Sequence, residues 1–151
     1  MSEYLQAMEL CSHVYLTCHG DEPEELKKMV TDAFHHPKYT EGMLLYGAFH
    51  GDRLVGVTGV RQESNYMTVN YMLPEMQGKG ISSFMFNFLK KERLGFGPIW
   101  GLAHPSAMDK YRHQGWVASD EPVVMDGIGL VPIVYMKYNE YKASKCERQK
   151  S

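Results

Sequence analysis

The order of elements in this sequence predicts an α/β fold with about seven strands and flanking helices. Three observations carry that reading. Strand-like runs follow one another between Met43 and Leu73, separated only by tight turns. Two stretches with apolar residues at helical spacing, around residues 26–34 and 81–89, stand before and after this meander. The meander's last strand runs directly into the second helix through a loop that carries Gly78 and Gly80.

In chain order, residues 1–12 read as an N-terminal extension, with Leu5, Met8 and Cys11 at the spacing of a short helix, and His13 to Cys18 reads as the first strand. Asp21 is placed to cap a helix, with Pro23 in its first turn and Glu24 three residues on. Leu26, Met29, Val30, Ala33 and Phe34 then share one face, and Phe34 to Tyr39 breaks off into an aromatic, polar connection. Met43 to Phe49 and Arg53 to Arg61 form a hairpin around His50-Gly51-Asp52, and Glu63-Ser64-Asn65 turns into the strand Tyr66 to Leu73. Ile81, Phe84, Met85, Phe88 and Leu89 make one helical stripe. Lys90, Lys91 and Arg93 suit that helix's negative end, and Gly95 with Gly97-Pro98 stops it. Ile99 to Ala103 is a short buried strand, and Ser106 to Gln114 a short helix closed by Gly115. Trp116 to Ser119 and Val131 to Tyr138 are the last strands, with Asp120 to Leu130 a loop or strand fragment between them. The polar tail at residues 142–151 is expected to fray.

Composition narrows the function. The 151 residues suit a single domain with its own core. A net charge of -2 argues against broad binding to nucleic acid or to an anionic membrane. No apolar run approaches the ~18 residues of a membrane span, and no signal peptide is expected at the start. Cys11, Cys18 and Cys146 are odd in number and follow no metal-ligand pattern, so reduced thiols in a cytoplasmic setting are expected. The many methionines and tyrosines read as core and rim.

The chemistry gathers in Pro74 to Ser83. Two glycines at a strand-to-helix junction let backbone N–H groups turn inward around an anion. The helix adds its N-terminal donors and dipole, and Lys79 adds a cation. A nucleotide-type ligand is the expectation. Each signal also has a plainer reading on its own: the glycines as a simple turn, Tyr111 as a rim residue, His104 as a solvated side chain.

The conjunction of signals goes further, because residues 13 to 140 resemble the GNAT superfamily of N-acetyltransferases. The family's acetyl-CoA signature is Gln or Arg, two residues, Gly, one residue, then Gly or Ala. Here it reads Gln77-Gly78-Lys79-Gly80-Ile81-Ser82, with Ser in the last place, and Asn70-Tyr71-Met72-Leu73-Pro74 matches the apolar strand and proline before it. A second signature is matched by Tyr111-Arg112-His113-Gln114-Gly115-Trp116, with Ala107 four residues before the tyrosine. His104 stands where the family often has Asn.

The resemblance implies a mostly antiparallel mixed sheet, splayed between its fourth and fifth strands. It implies acetyl-CoA as acyl donor, moved directly to a primary amine of a small molecule or peptide. Backbone groups of Asn70, Tyr71 and Met72 would take the pantetheine arm, with His104 beside it. The loop Gln77, Gly78, Lys79, Gly80, Ile81, Ser82, Ser83 would hold the pyrophosphate. Tyr111 would protonate the departing thiolate. Glu63, Asp120 and Glu121 are candidate water-mediated bases, and no spacing singles one out. The acceptor would be bounded by Phe34 to Tyr39 and by Asp120 to Leu130. It stays open between a metabolite, a polyamine and a peptide amine. Dimers are common in the family, and the apolar run Val131 to Met136, read as a terminal strand near a sheet edge, points to a homodimer. The alternative is an acyl-CoA-binding regulatory domain without turnover.

Overall fold

A computed structural model describes residues 2–125 and 128–136. The far end of the last expected strand, the polar tail and Cys146 lie outside the described residues. The chain divides into two compact units, Met1–Leu89 and Lys90–Ser151.

The first unit opens with one long helix, α1 (Glu3–Cys18), and this corrects the reading of His13 to Cys18 as a strand. Ser2 caps it by accepting the Leu5 amide at 3.1 Å. Ala7, Met8, Cys11, Val14 and Tyr15 are buried at helical spacing straight through the expected break. The aromatic and β-branched character of Val14-Tyr15-Leu16-Thr17 favours a strand locally, but packing of the continuous apolar face on the sheet decides. The helix α2 (Glu24–Phe34) starts after Pro23 as N-cap with no side-chain cap, so Asp21 does not hold the place expected of it. Its face is shallow, with Phe34 its buried residue. One further turn, α3 (Pro37–Thr40), forms in the expected connection.

Three strands, β1 (Met43–His50), β2 (Arg53–Arg61) and β3 (Met67–Met72), make an antiparallel sheet in that order. Gly51 turns the first hairpin at φ 63. Val55, Val57, Val69 and Met72 pack with Met8, Cys11 and Val14 of α1 in one core. The helix α4 (Ile81–Arg93) lies close on β2, where a Cβ on Gly56 would stand 2.8 Å from the Met85 sulfur. That approach turns the inward face of α4 to Met85, Phe86 and Leu89, all buried, and leaves Phe84 71% exposed. The expected stripe is therefore rotated by about one position.

The second unit carries β4 (Ile99–Ala103), α5 (Met108–His113), β5 (Val117–Ala118), β6 (Val123–Met125) and β7 (Ile128–Tyr135). Its sheet runs β4-β7-β5, and β6 also pairs with β7. Ile99, Ile133, Val134 and Trp116 are its buried heart. Of the two alternatives for residues 120–130, the strand fragment is found: Val123 pairs with Leu130 to start a β6–β7 hairpin. One expectation changes here. The apolar run in β7 is not at an edge: Ile133 faces Gly101 on one side and Ala118 on the other. It is apolar because it is central.

The fold is the expected GNAT-like α/β arrangement, with every described ladder antiparallel. Seven strands are present among the described residues, though β6 replaces the strand expected at residues 13–18. β3 and β4, in the places of the expected fourth and fifth strands, belong to different sheets.

Candidate active site

In the first unit the chain leaves β3 through a 3₁₀ turn, Pro74–Met76, and reaches α4 through Gln77 to Gly80. Gly78 and Gly80 have φ of 78 and 81, which L side chains rarely adopt. A Cβ built on either meets nothing within 4 Å. The glycines are therefore required by backbone conformation, and open space stands in front of both. Gln77 to Gly80 are all exposed. The helix closes its first turn with the Phe84 amide on the Gly80 carbonyl at 3.1 Å. The first amides of a helix, those before that bond, have no carbonyl of the same helix one turn back. Glu75, the loop's carboxylate, is bonded to Arg53 at 2.8 Å. A backbone hydrogen bond, and then Arg53, hold its carboxyl below the usual range. With Lys79 in the loop, the donor set and open backbone fit a pyrophosphate.

The strand before the loop is held firmly. Asn70 accepts the Thr58 hydroxyl at 3.0 Å, and its backbone pairs with Thr58 across β2. Tyr71 meets Phe34 edge to face at 5.7 Å. Met72 is buried opposite Gly56. Asn70, Tyr71, Met72 and the loop from Gln77 to Ser83 thus lie along one continuous stretch of the first unit.

His104 and Tyr111 belong to the second unit. His104 caps the turn after β4: its Nδ1 accepts the Ser106 amide at 3.2 Å and lies 2.7 Å from the Ser106 hydroxyl. A backbone N–H only donates, so this contact fixes Nδ1 as an acceptor. Tyr111, on α5, is 8% exposed and packs edge to face on Trp116 at 5.7 Å. Gly115 turns the chain between them at φ 97.

The candidate bases fall in different units. Glu63 sits exposed in the β2–β3 turn, in the first unit. Asp120 and Glu121 are exposed in the second, where Asp120 accepts the Glu121 amide at 2.8 Å. The expected acceptor wall at Phe34 to Tyr39 is an aromatic cluster: Phe34 touches Tyr15, Tyr39 and Tyr71 edge to face. Arg61 is a residue the sequence reading passed over. Its guanidinium lies 5.5 Å over the Tyr39 ring. Arg61 and Tyr39 come from elements far apart in the chain, so no local pattern signals the pair.

A family model described as the acetyltransferase (GNAT) domain matches residues 14–137. This chain belongs to the GNAT family of acetyltransferases. Solved structures agree on the fold. A GCN5-related N-acetyltransferase from Rhodopseudomonas palustris superposes with TM-score 0.73 at 15% identity, over 89% of each chain. The PaiA N-acetyltransferase from Thermoplasma acidophilum, in complex with coenzyme A, gives TM-score 0.60 at 18% identity, over 90% of this chain and 93% of that one. An aminoglycoside 6'-N-acetyltransferase complexed with coenzyme A gives 0.60 at 12% identity, over 85% and 89%. A search of curated proteins finds no match to the chain.

Proposed function

We propose that the protein transfers an acetyl group from acetyl-CoA directly to a primary amine of a small molecule or peptide. The observation that carries this is the loop Gln77 to Ser83, with Gly78 and Gly80 at φ 78 and 81 and open space before both. The coenzyme A complexes of two structural neighbours support the same donor.

In this reading the loop amides and Lys79 hold the pyrophosphate, and the backbone of Asn70, Tyr71 and Met72 takes the pantetheine amides, with His104 beside the arm. Those backbone groups also orient the thioester carbonyl, so that charge developing on its oxygen meets fixed dipoles. The amine nitrogen bonds to the carbonyl carbon as the carbon–sulfur bond breaks. Tyr111 gives its hydroxyl proton to the leaving sulfur. A phenol near ~10 and a thiol near ~8.5 are close enough for that transfer. The amine's lost proton passes to water, water returns one to the Tyr111 oxygen, and no single carboxylate is assigned as base.

We place the protein in the cytoplasm, on the argument of reduced thiols; Cys11 and Cys18 are both free. Among the described residues, no helix is long and apolar enough to cross a membrane. The central position of β7 removes the edge-strand reason for a homodimer, which now rests on family resemblance alone.

Calorimetry with acetyl-CoA tests the donor site directly. Wild type should bind, and Gly80→Asp should bind at least about tenfold more weakly, a loss of ~1.4 kcal/mol. A folded Gly80→Asp protein that binds acetyl-CoA normally would refute the site.

A further inference from the structure

The first unit has a second candidate ligand site, an open cleft of about 450 Å³ between α2, α3 and the end of β2. Its polar lining holds two cations, Arg61 and Lys38, with the His36 ring, against one carboxylate, Asp32. Asp32 is already bonded to Lys28 at 2.8 Å, which offsets its charge. Met29, Ala33 and the Tyr39 ring supply an apolar wall.

Arg61 is held in place before any ligand arrives. It donates one N–H to the Glu41 carbonyl at 2.6 Å and lies over Tyr39. A guanidinium has five N–H donors in a planar fork, and among the described residues a single one is engaged this way. His36 accepts the Lys38 amide on Nδ1 at 3.1 Å, so its other nitrogen, Nε2, carries the proton. The cleft thus offers three N–H-bearing groups beside an apolar face. That is the chemistry of a carboxylate site, for which the guanidinium fork is the best match among side chains.

Its position connects it to β3. The Tyr39 hydroxyl donates to the Thr68 carbonyl at 3.2 Å, two residues before Asn70 on the same strand. At roughly 3.3 Å per residue, Thr68 lies about 7 Å from Asn70 and about 13 Å from Met72 along that strand. The geometry points to Arg61, with Lys38 and His36, as the subsite for the carboxylate of an acceptor amine. An amine set back by that span belongs to a long amino carboxylate or a short peptide with a free C-terminus. This rests on the transferase reading for the word acceptor, but not for the anion site itself.

The test uses L-lysine, glycylglycine and triglycine, each beside its C-terminal primary amide. Calorimetry without acyl donor reads binding, and thiol release from acetyl-CoA reads turnover. Wild type should bind at least one carboxylate about tenfold more tightly than its amide, as expected for a charge-assisted pair. Arg61→Gln should bring that ratio near one, Lys38→Gln should lower it in part, and Arg61→Lys should restore part of it. If Arg61→Gln does not fold, the wild-type ratio and Lys38→Gln decide. A wild-type ratio near one for all three pairs, or a ratio unchanged in the folded variants, overturns the subsite. A ratio that holds in binding with no thiol released for any of the three amines keeps the anion site and defeats its role as an acceptor subsite.

Discussion

Gly80 and Tyr111 make opposite demands on their neighbours, and substitutions should separate them. At Gly80 the backbone is the constraint, since a Cβ meets nothing within 4 Å while φ is 81. Gly80→Ala should therefore cost only backbone strain, about 1 kcal/mol, read as a shift in urea midpoint. Tyr111 is constrained by its ring, which packs on Trp116. Tyr111→Phe should keep the fold and acetyl-CoA affinity and lower kcat by roughly 10²–10⁴-fold if the hydroxyl is the acid. A Phe variant with more than about half of wild-type kcat would leave the ring with a packing role only. Cys11 gives a pH signature. Burial pushes its thiol from 9.0 up to about 12. Burial and then the Cys11 charge push Tyr39 from 10.0 up to about 12. The folded state holds these protons more tightly than the unfolded chain does. Stability should be intact below pH 9 and fall as pH rises toward 12. Melting curves across that window should flatten in a Cys11→Ala variant, and an unchanged slope would contradict the assignment. The loop glycines and Tyr111 stand out in the sequence as candidates because each lies in a short contiguous motif. Arg61 was not, because its partners Tyr39 and Glu41 reach it only through the fold.

Among the elements, the hairpins and α4 were legible because turn chemistry and helical period are local. The misread element was α1. Its buried residues keep one helical period from Ala7 to Tyr15, yet the stretch after His13 has strand-like composition. Tertiary burial of the whole face outweighed the local preference. The strand β6, left open between loop and strand fragment by the sequence, is only Val123–Met125, too short for alternation to stand out. Packing inside the first sheet offers a sharp test at Gly59. A Cβ there would stand 2.9 Å from Leu45, Met43 and Val69 side-chain atoms at once. Gly59→Ala should lose about 1–3 kcal/mol by overpacking, with an unchanged denaturant slope. A neutral effect would mean that those three side chains move aside freely.

For the molecule as a whole, the fold class could be read from element order. The assembly could not, because an apolar run reads the same at a sheet's edge and in its middle. β7 turned out to be central. With the edge argument gone, light scattering over a broad concentration range decides whether the family's tendency to pair holds here. The chain belongs to the GNAT acetyltransferases, and a turnover measurement tests donor and acceptor together. The most direct measurement is thiol release from acetyl-CoA by the purified protein across a broad amine panel, with mass spectrometry of the products. The expected result is amine-dependent thiol release matched by an acetylated amine, abolished in Gly80→Asp and strongly reduced in Tyr111→Phe. Acetyl-CoA that binds tightly, with no thiol released and no acetylated amine for any member of the panel, would contradict catalysis and leave a regulatory acyl-CoA-binding domain.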